Sequence, residues 1–287
     1  MVDDLYPFEG HYFERNGLRL HYLDEGEGDP VVMVHGNPTW SFYYRNVVLA
    51  LRNTHRCIVP DHIGCGRSDK PDDSRYEYRL QSRIDDLEAL LEYLDIRSRI
   101  TFIVHDWGGI IGMGYMTKYP DRIKKIVVLN TSAFHLPSTK RFPLALWLGR
   151  NTHLGGFLIR RFNAFARVAA MVCCKRHPMP TVVKRRFIEP YDSWNNRIAT
   201  HRFVQDIPLK EGDPSYDLVT EIQEGLTKLG DRPMLICWGE RDFVFSVHFR
   251  DEWIRRFPNA VVHTYKDAGH YVLEDVKEII DHVKAFL

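Results

Sequence analysis

Apolar residues along this chain gather in short continuous runs separated by stretches of helical period. The runs are residues 31–35 (VVMVH), 56–60 (RCIVP), 100–105 (ITFIVH), 125–130 (KIVVLN), 233–239 (PMLICWG) and 260–265 (AVVHTY). Runs this short predict strands, and those at 56–60 and 100–105 predict buried strands of a parallel sheet. Between them, Leu80, Ile84, Leu87, Leu90, Leu91 and Leu94 recur at helical spacing, and residues 110–118, 247–257 and 272–286 also predict helices. Strands alternating with helices imply an α/β fold, a mostly parallel sheet with helices on both faces. Ahead of it, two alternating segments, 11–15 and 18–22, flank Asn16-Gly17, which predicts a tight hairpin.

The alternation stops between residues 136 and 210, where no buried strand is predicted. Leu154, Phe157, Leu158, Phe162, Phe165, Val168, Ala169 and Val172 predict the apolar stripe of one helix. Shorter helical pieces surround it, punctuated by Pro143, Pro178, Pro180 and Pro190. The expected organisation is a core of residues 1–135 and 211–287 carrying a helical cap, 136–210.

Composition adds bounds. The chain has 287 residues, long enough for a sizeable core, with 44% hydrophobic and 27% charged residues. No apolar run has the length of a membrane span, and the first residues lack a basic region followed by an apolar one. Five cysteines without regular spacing argue for a reducing cytoplasm and against a disulfide framework, and adjacent Cys173 and Cys174 have no matching pair for zinc. The net charge of +1 gives no reason to expect nucleic acid as a partner. That near-neutrality hides an asymmetry. Residues 136–210 hold 14 Lys and Arg against three Asp and Glu. A basic cap on an acidic core is expected to meet an acidic surface, either another copy of the chain or a partner, or an anionic membrane.

The chemistry is expected where strands end. The run from Ile100 turns into a helix at His105-Asp106-Trp107-Gly108-Gly109, placing Asp106 on a tight bend above the carboxyl edge of the sheet. In α/β-hydrolases that position carries the nucleophile, with small residues after it because helix and strand pack closely. The usual motif has Gly two positions earlier, where this chain has Val104. Asp is also a common helix N-cap, so the bend alone leaves the role open. Two later strands run into Asp242 and Gly269-His270. Parallel strands end on one side, so Asp106, Asp242 and His270 can converge in the order nucleophile, acid, histidine expected of a triad. Singly, Asp242 could be a turn former and His270 a loop histidine.

HGNPTW, DHIGCGRSDKP, VHDWGG, CWGERDFVF and AGHYVLED together resemble the haloalkane dehalogenases among α/β-hydrolases with an Asp nucleophile. The resemblance covers the chain from Phe13 onward, and PYDSWNNRIATHRFVQDIPL is most similar to the branch that includes β-lactone decarboxylases of olefin biosynthesis. It implies that Asp106 forms an ester by displacing a leaving group from carbon, and that His270, oriented by Asp242, activates the water that cleaves it. It further implies that Asn37 and Trp107 stabilise the leaving halide and the oxyanion. By their residue types alone, Asn37 could instead form a turn and Trp107 could pack in the core. Some dehalogenases carry the acid after the KIVVLN strand, but Asn130 there is no carboxylate, so Asp242 is the better candidate.

The expected function is hydrolytic dehalogenation of small apolar haloalkanes, without metal or organic cofactor and with halide bound as product. The alternative is β-lactone decarboxylation through the same residues. An epoxide hydrolase would need two cap tyrosines, and residues 136–210 hold only Tyr191. A fluoroacetate dehalogenase would need arginines near the nucleophile, where Trp107 stands. A non-catalytic receptor would bind ligand without turnover.

Overall fold

A computed structural model describes residues 4–287. Eight strands form one sheet: β1 His11–Arg15, β2 Leu18–Glu25, β3 Pro30–Val34, β4 Arg56–Pro60, β5 Ile100–Asp106, β6 Ile123–Thr131, β7 Met234–Gly239 and β8 Val261–Tyr265. Their order is β1-β2-β4-β3-β5-β6-β7-β8. β1 and β2 form the expected hairpin, and β2 pairs antiparallel with β4; the other pairings are parallel. Asn16 and Gly17 both have positive φ, 53° and 71°, as a two-residue hairpin turn requires.

The helices of the first half are α1 Arg45–Leu51, α2 Leu80–Tyr93 and α3 Trp107–Lys118. Successive strand residues feed opposite layers. Val32, Val34, Phe102, Val104 and Val128 pack in one cluster with α2 and α3, whereas Val31, Met33, Ile103, Val127 and Leu129 pack in the other with α1. Both clusters are sealed from water, which is why these runs lack polar alternation.

Between β6 and β7 the chain is helical: α4 Leu144–Asn151, α5 His153–Phe162, α6 Ala164–Val172, α7 Thr181–Ile188, α8 Ile198–Gln205 and α9 Tyr216–Gly225. The stripe predicted as one helix is therefore two. Asn163 takes the left-handed conformation (φ 53°, ψ 35°) that ends α5, and its amide donates to the Tyr191 carbonyl at 2.9 Å. The stripe also faces the other way in α5: Leu154, Phe157, Leu158 and Phe162 are exposed, while Gly155, Gly156 and Ile159 are buried. After β7 come α10 Val247–Arg256, α11 Val272–Asp275 and α12 Ile279–Phe286. The closing helix expected over 272–286 is thus split, because Val276 is extended (φ −131°, ψ 95°).

A buried ionic joint ties α8 to the core. Asp206, immediately after α8, accepts from the Leu80 backbone N–H at 2.7 Å, Ser215 Oγ at 2.8 Å, Arg79 at 3.2 Å and Arg83 at 3.3 Å. Leu80 opens α2, so Asp206 satisfies a free N–H of a helix far away in sequence. The Arg83 guanidinium lies 3.7 Å from the centre of the Phe203 ring in α8.

Candidate active site

β3 and β5 lie side by side, and the strand order reverses between them, opening a crevice at their carboxyl ends. Asn37 follows β3 and Asp106 ends β5, so both stand at this crevice. Asp106 has φ 53° and ψ −129°, a conformation that costs a non-glycine residue about 1–3 kcal/mol. The surroundings hold it there. The Thr131 hydroxyl donates to its carbonyl, and any side chain at Gly108 would strike the Val34 carbonyl, so α3 can start directly against β3. A Cβ at Gly112 would press on Val104. Gly112 thus provides the room that a glycine at 104 usually provides.

The side chains expected to converge lie together. Asp106 Oδ1 accepts from the Asn37 backbone N–H at 2.6 Å, and its Oδ2 is 3.4 Å from His270 Nε2. His270 Nδ1 is 2.7 Å from Asp242 Oδ2. All three residues are buried. Burial alone would favour neutral His270, but the Asp242 charge and hydrogen bonds to Asp106 and Asp242 outweigh it and push His270 up to about 10. Burial likewise opposes ionisation of Asp242, yet the His270 charge and three hydrogen bonds hold its carboxyl below the usual range. One of these bonds comes from the Val244 N–H at 2.7 Å.

Another comes from Asn130, whose amide donates to Asp242 Oδ2 and to the Gly239 carbonyl, both at 3.0 Å, while its Oδ1 accepts from the Gly239 N–H. Position 130 therefore serves Asp242 rather than replacing it. Sequence reading noted only that Asn130 is no carboxylate. Its role depends on a pairing across 112 residues that no local pattern reports. Two further positioning groups escaped the sequence reading. His105 Nε2 lies 2.9 Å from the His270 carbonyl, and burial pulls this imidazole down to about 3, so it is neutral and donates. The Thr200 carbonyl in α8 accepts from Asn37 Nδ2 at 3.0 Å.

The loop that presents Asn37 is fixed from behind. The buried Asp61 carboxylate binds His21 Nδ1 at 2.8 Å and the N–H groups of Ser41 and Arg67. His35 lies between the Gly36 carbonyl and the His62 N–H, an arrangement for the neutral imidazole that burial also favours. These ties explain why glycine and histidine cluster in HGNPTW and DHIGCGRS.

Asp106, His270, Asn37 and Trp107 open on a cavity of about 400 Å³. Its far wall comes from α4–α6, including Leu146, Ile159, Phe165 and Ala169, and from Phe245 and Phe249. The Trp107 ring packs 5.2 Å from that of Phe203, so it lines the cavity and packs against α8 at once. Among the described residues, no group of three or more His, Cys, Asp and Glu is arranged to hold a metal. No helix among them is long and apolar enough to cross a membrane.

Residues 29–276 match the family model described as alpha/beta hydrolase fold. The chain belongs to that family. Within it, this hydrolase-fold chain is 59% identical over its whole length to a cis-3-alkyl-4-alkyloxetan-2-one decarboxylase of Shewanella oneidensis, covering 91% of that protein. It is 47% identical over 95% of its length to a protein of the same name from Xanthomonas campestris, covering 93% of it. Haloalkane dehalogenase 2 of Mycobacterium bovis is 30% identical over 96% of this chain and 93% of its own. The crystal structure of haloalkane dehalogenase DatA from Agrobacterium tumefaciens superposes with a TM-score of 0.85, covering 97% of this chain and 95% of that one, at 22% identity. The resemblance read from the motifs is thus correct for both family and branch. The two expected reactions change places, because the oxetanone decarboxylases are far more similar than the dehalogenases.

Proposed function

We propose that this enzyme decarboxylates a cis-3,4-dialkyl oxetan-2-one, a four-membered β-lactone, to carbon dioxide and an alkene. The observation that carries the proposal is the end-to-end identity with two oxetanone decarboxylases. A mainly apolar cavity over the Asp106 carboxylate supports it.

Asp106 acts as nucleophile. The Asn37 N–H fixes Oδ1, and Oδ2 attacks ring carbon C4. The C4–O bond breaks and its electron pair leaves with the ring carboxylate, giving an aspartyl ester and a free carboxylate. Loss of carbon dioxide sends the electrons of the C3–carboxyl bond into a C3=C4 double bond. The bond from C4 to Asp106 breaks, restoring the Asp106 carboxylate. Atoms balance without water. Inversion at C4 followed by anti elimination keeps the two alkyl groups cis.

The charged His270, held by Asp242, offsets first the Asp106 carboxylate and then the displaced one. Asn37 and Trp107 supply N–H groups to the departing oxygen. The helices over the cavity act as a cap that keeps water from the ester. Neither metal nor organic cofactor takes part, and the five unpaired cysteines support a reducing cytoplasm.

Hydrolytic dehalogenation is the second reading, favoured by the dehalogenase relatives and using the same residues. It would release halide and require His270 to activate water. The test offers a cis-3,4-dialkyl oxetanone and 1-bromohexane separately, measuring alkene, carbon dioxide, bromide and alcohol. Cis-alkene and carbon dioxide in equal amounts are expected from the lactone. Bromide and alcohol from bromohexane, without alkene from the lactone, would overturn the proposal.

A further inference from the structure

The apolar face of α5 points into solvent. Leu154, Phe157, Leu158 and Phe162, spaced as one helical stripe, are exposed by 65, 47, 41 and 53%. The reversal is built in, because the opposite face carries glycines. A side chain at Gly155 would strike the Leu148 carbonyl, and one at Gly156 the His201 ring. The small face therefore lets α5 lie tightly on α4 and α8, leaving the large side chains outside. Leu144 and Trp147 of α4, and Val168 and Met171 of α6, extend this exposed surface on neighbouring helices.

Cations interrupt it. Arg161 belongs to the same stripe, three residues after Leu158, and Arg167 stands next to Val168. Both are exposed, and among the described residues neither makes a salt bridge. Arg141 and Arg185, also on the cap, are likewise exposed and without ion pairs. Leu148, Leu158 and Val168 line the cavity as well as being exposed, so the cavity opens through this surface.

We propose that this face of the cap docks on an anionic phospholipid surface. Long apolar side chains mixed with unpaired arginines suit an interface that offers acyl chains and phosphates in one plane. No helix among the described residues is long and apolar enough to span a bilayer, and the exposed stripe of α5 suits a helix lying in the interface plane. An acidic protein would answer the charge but not a stripe of leucine and phenylalanine. The cavity mouth then faces the acyl region, where a ring with two alkyl arms partitions. That last step rests on the reaction proposed above, whereas the docking itself does not.

The full chain is mixed with vesicles of phosphatidylcholine alone or with added phosphatidylglycerol, and bound protein is measured by flotation. Binding is expected only with phosphatidylglycerol, and release is expected at high salt. R161Q/R167Q should weaken partitioning roughly 30-fold, from about fivefold per cation. L154E/F157E, at solvent-facing positions outside the cavity lining, should abolish it while the melting curve stays unchanged. Sedimentation velocity on the same proteins separates the other occupants. Absence of vesicle binding overturns the proposal. So does a concentration-dependent oligomer that the same substitutions dissociate, which would make the surface a contact between copies. Vesicle binding without any alkene from lactone would leave docking standing and remove only the substrate-entry step.

Discussion

Replacing Asp206 by Ala tests whether α8 is tied to α2 by one carboxylate. Asp206 is 2% exposed and receives two arginines, a hydroxyl and the first N–H of α2. Arg79 is partly exposed and can turn to water, so its loss costs little. Arg83 is buried, and among the described residues Asp206 is the carboxylate it forms a salt bridge with, so removal of Asp206 leaves a buried cation without its ion pair. Breaking such a pair costs about 3–5 kcal/mol. For 287 residues the unfolding entropy is about 0.6 kcal/mol/K, so the midpoint should fall by about 5–8 °C. Calorimetry on purified protein reads this directly. D206N keeps acceptors but not charge and should fall in between, while an R83M/D206L pair should recover much of the loss. A D206A melt within about 1 °C of wild type would refute the reasoning. The joint also reaches the site, since α8 carries the Thr200 carbonyl that holds Asn37. D206A should therefore lower turnover well below the temperature at which it unfolds.

Other outcomes follow from the site. Turnover of lactone in water enriched in oxygen-18 should leave Asp106 unlabelled, whereas hydrolysis of an ester would place the label in its carboxylate, and peptide mass spectrometry distinguishes the two. H270Q exposed to bromohexane should gain one alkyl group on the Asp106 peptide if displacement occurs at all; unmodified protein that still releases bromide would exclude the covalent step. W107F keeps the ring beside Phe203 but removes the indole N–H, and should slow turnover roughly 10²-fold if that donor meets the departing oxygen. His270 should titrate near pH 10 by NMR and lower in D242N. Since its pKa is raised on folding, its stabilisation is complete below about pH 6.5 and fades as pH rises through about 10, which denaturant melts across that window would follow.

Strand ends were readable because buried parallel strands need uninterrupted apolar runs, and their edges are marked by the first polar or glycine residue. β4 and the hairpin strand β1 match their predicted bounds. The order of Asp106, Asp242 and His270 was readable for the same reason: a parallel sheet turns sequence order into one spatial edge. What supports them was not. Asn130, His105 and Thr200 act through contacts with Asp242, His270 and Asn37 that span 112, 165 and 163 residues, and each residue type is compatible with an ordinary core or turn position. Likewise, a break at Asn163 inside a continuous apolar period depends on the tie to Tyr191, which the period does not contain.

The α5 stripe shows a deeper limit of periodicity. A recurrence every three to four residues says that one helical face is apolar, and in an isolated domain that face turns inward. Here Gly155, Gly156 and Ile159 form an equally coherent face, small enough to approach α4 and α8 closely. Two faces compete for the interior, and close packing against backbone favours the smaller one. Leaving four large apolar residues in water is unfavourable for the chain alone, at roughly 25 cal/mol for each Å² of apolar surface left uncovered. An arrangement that accepts this cost beside unpaired arginines and a cavity mouth makes physical sense if the surface is covered in use. The stripe expected to belong to one helix is therefore, through its α5 half, the strongest structural argument for the proposed docking.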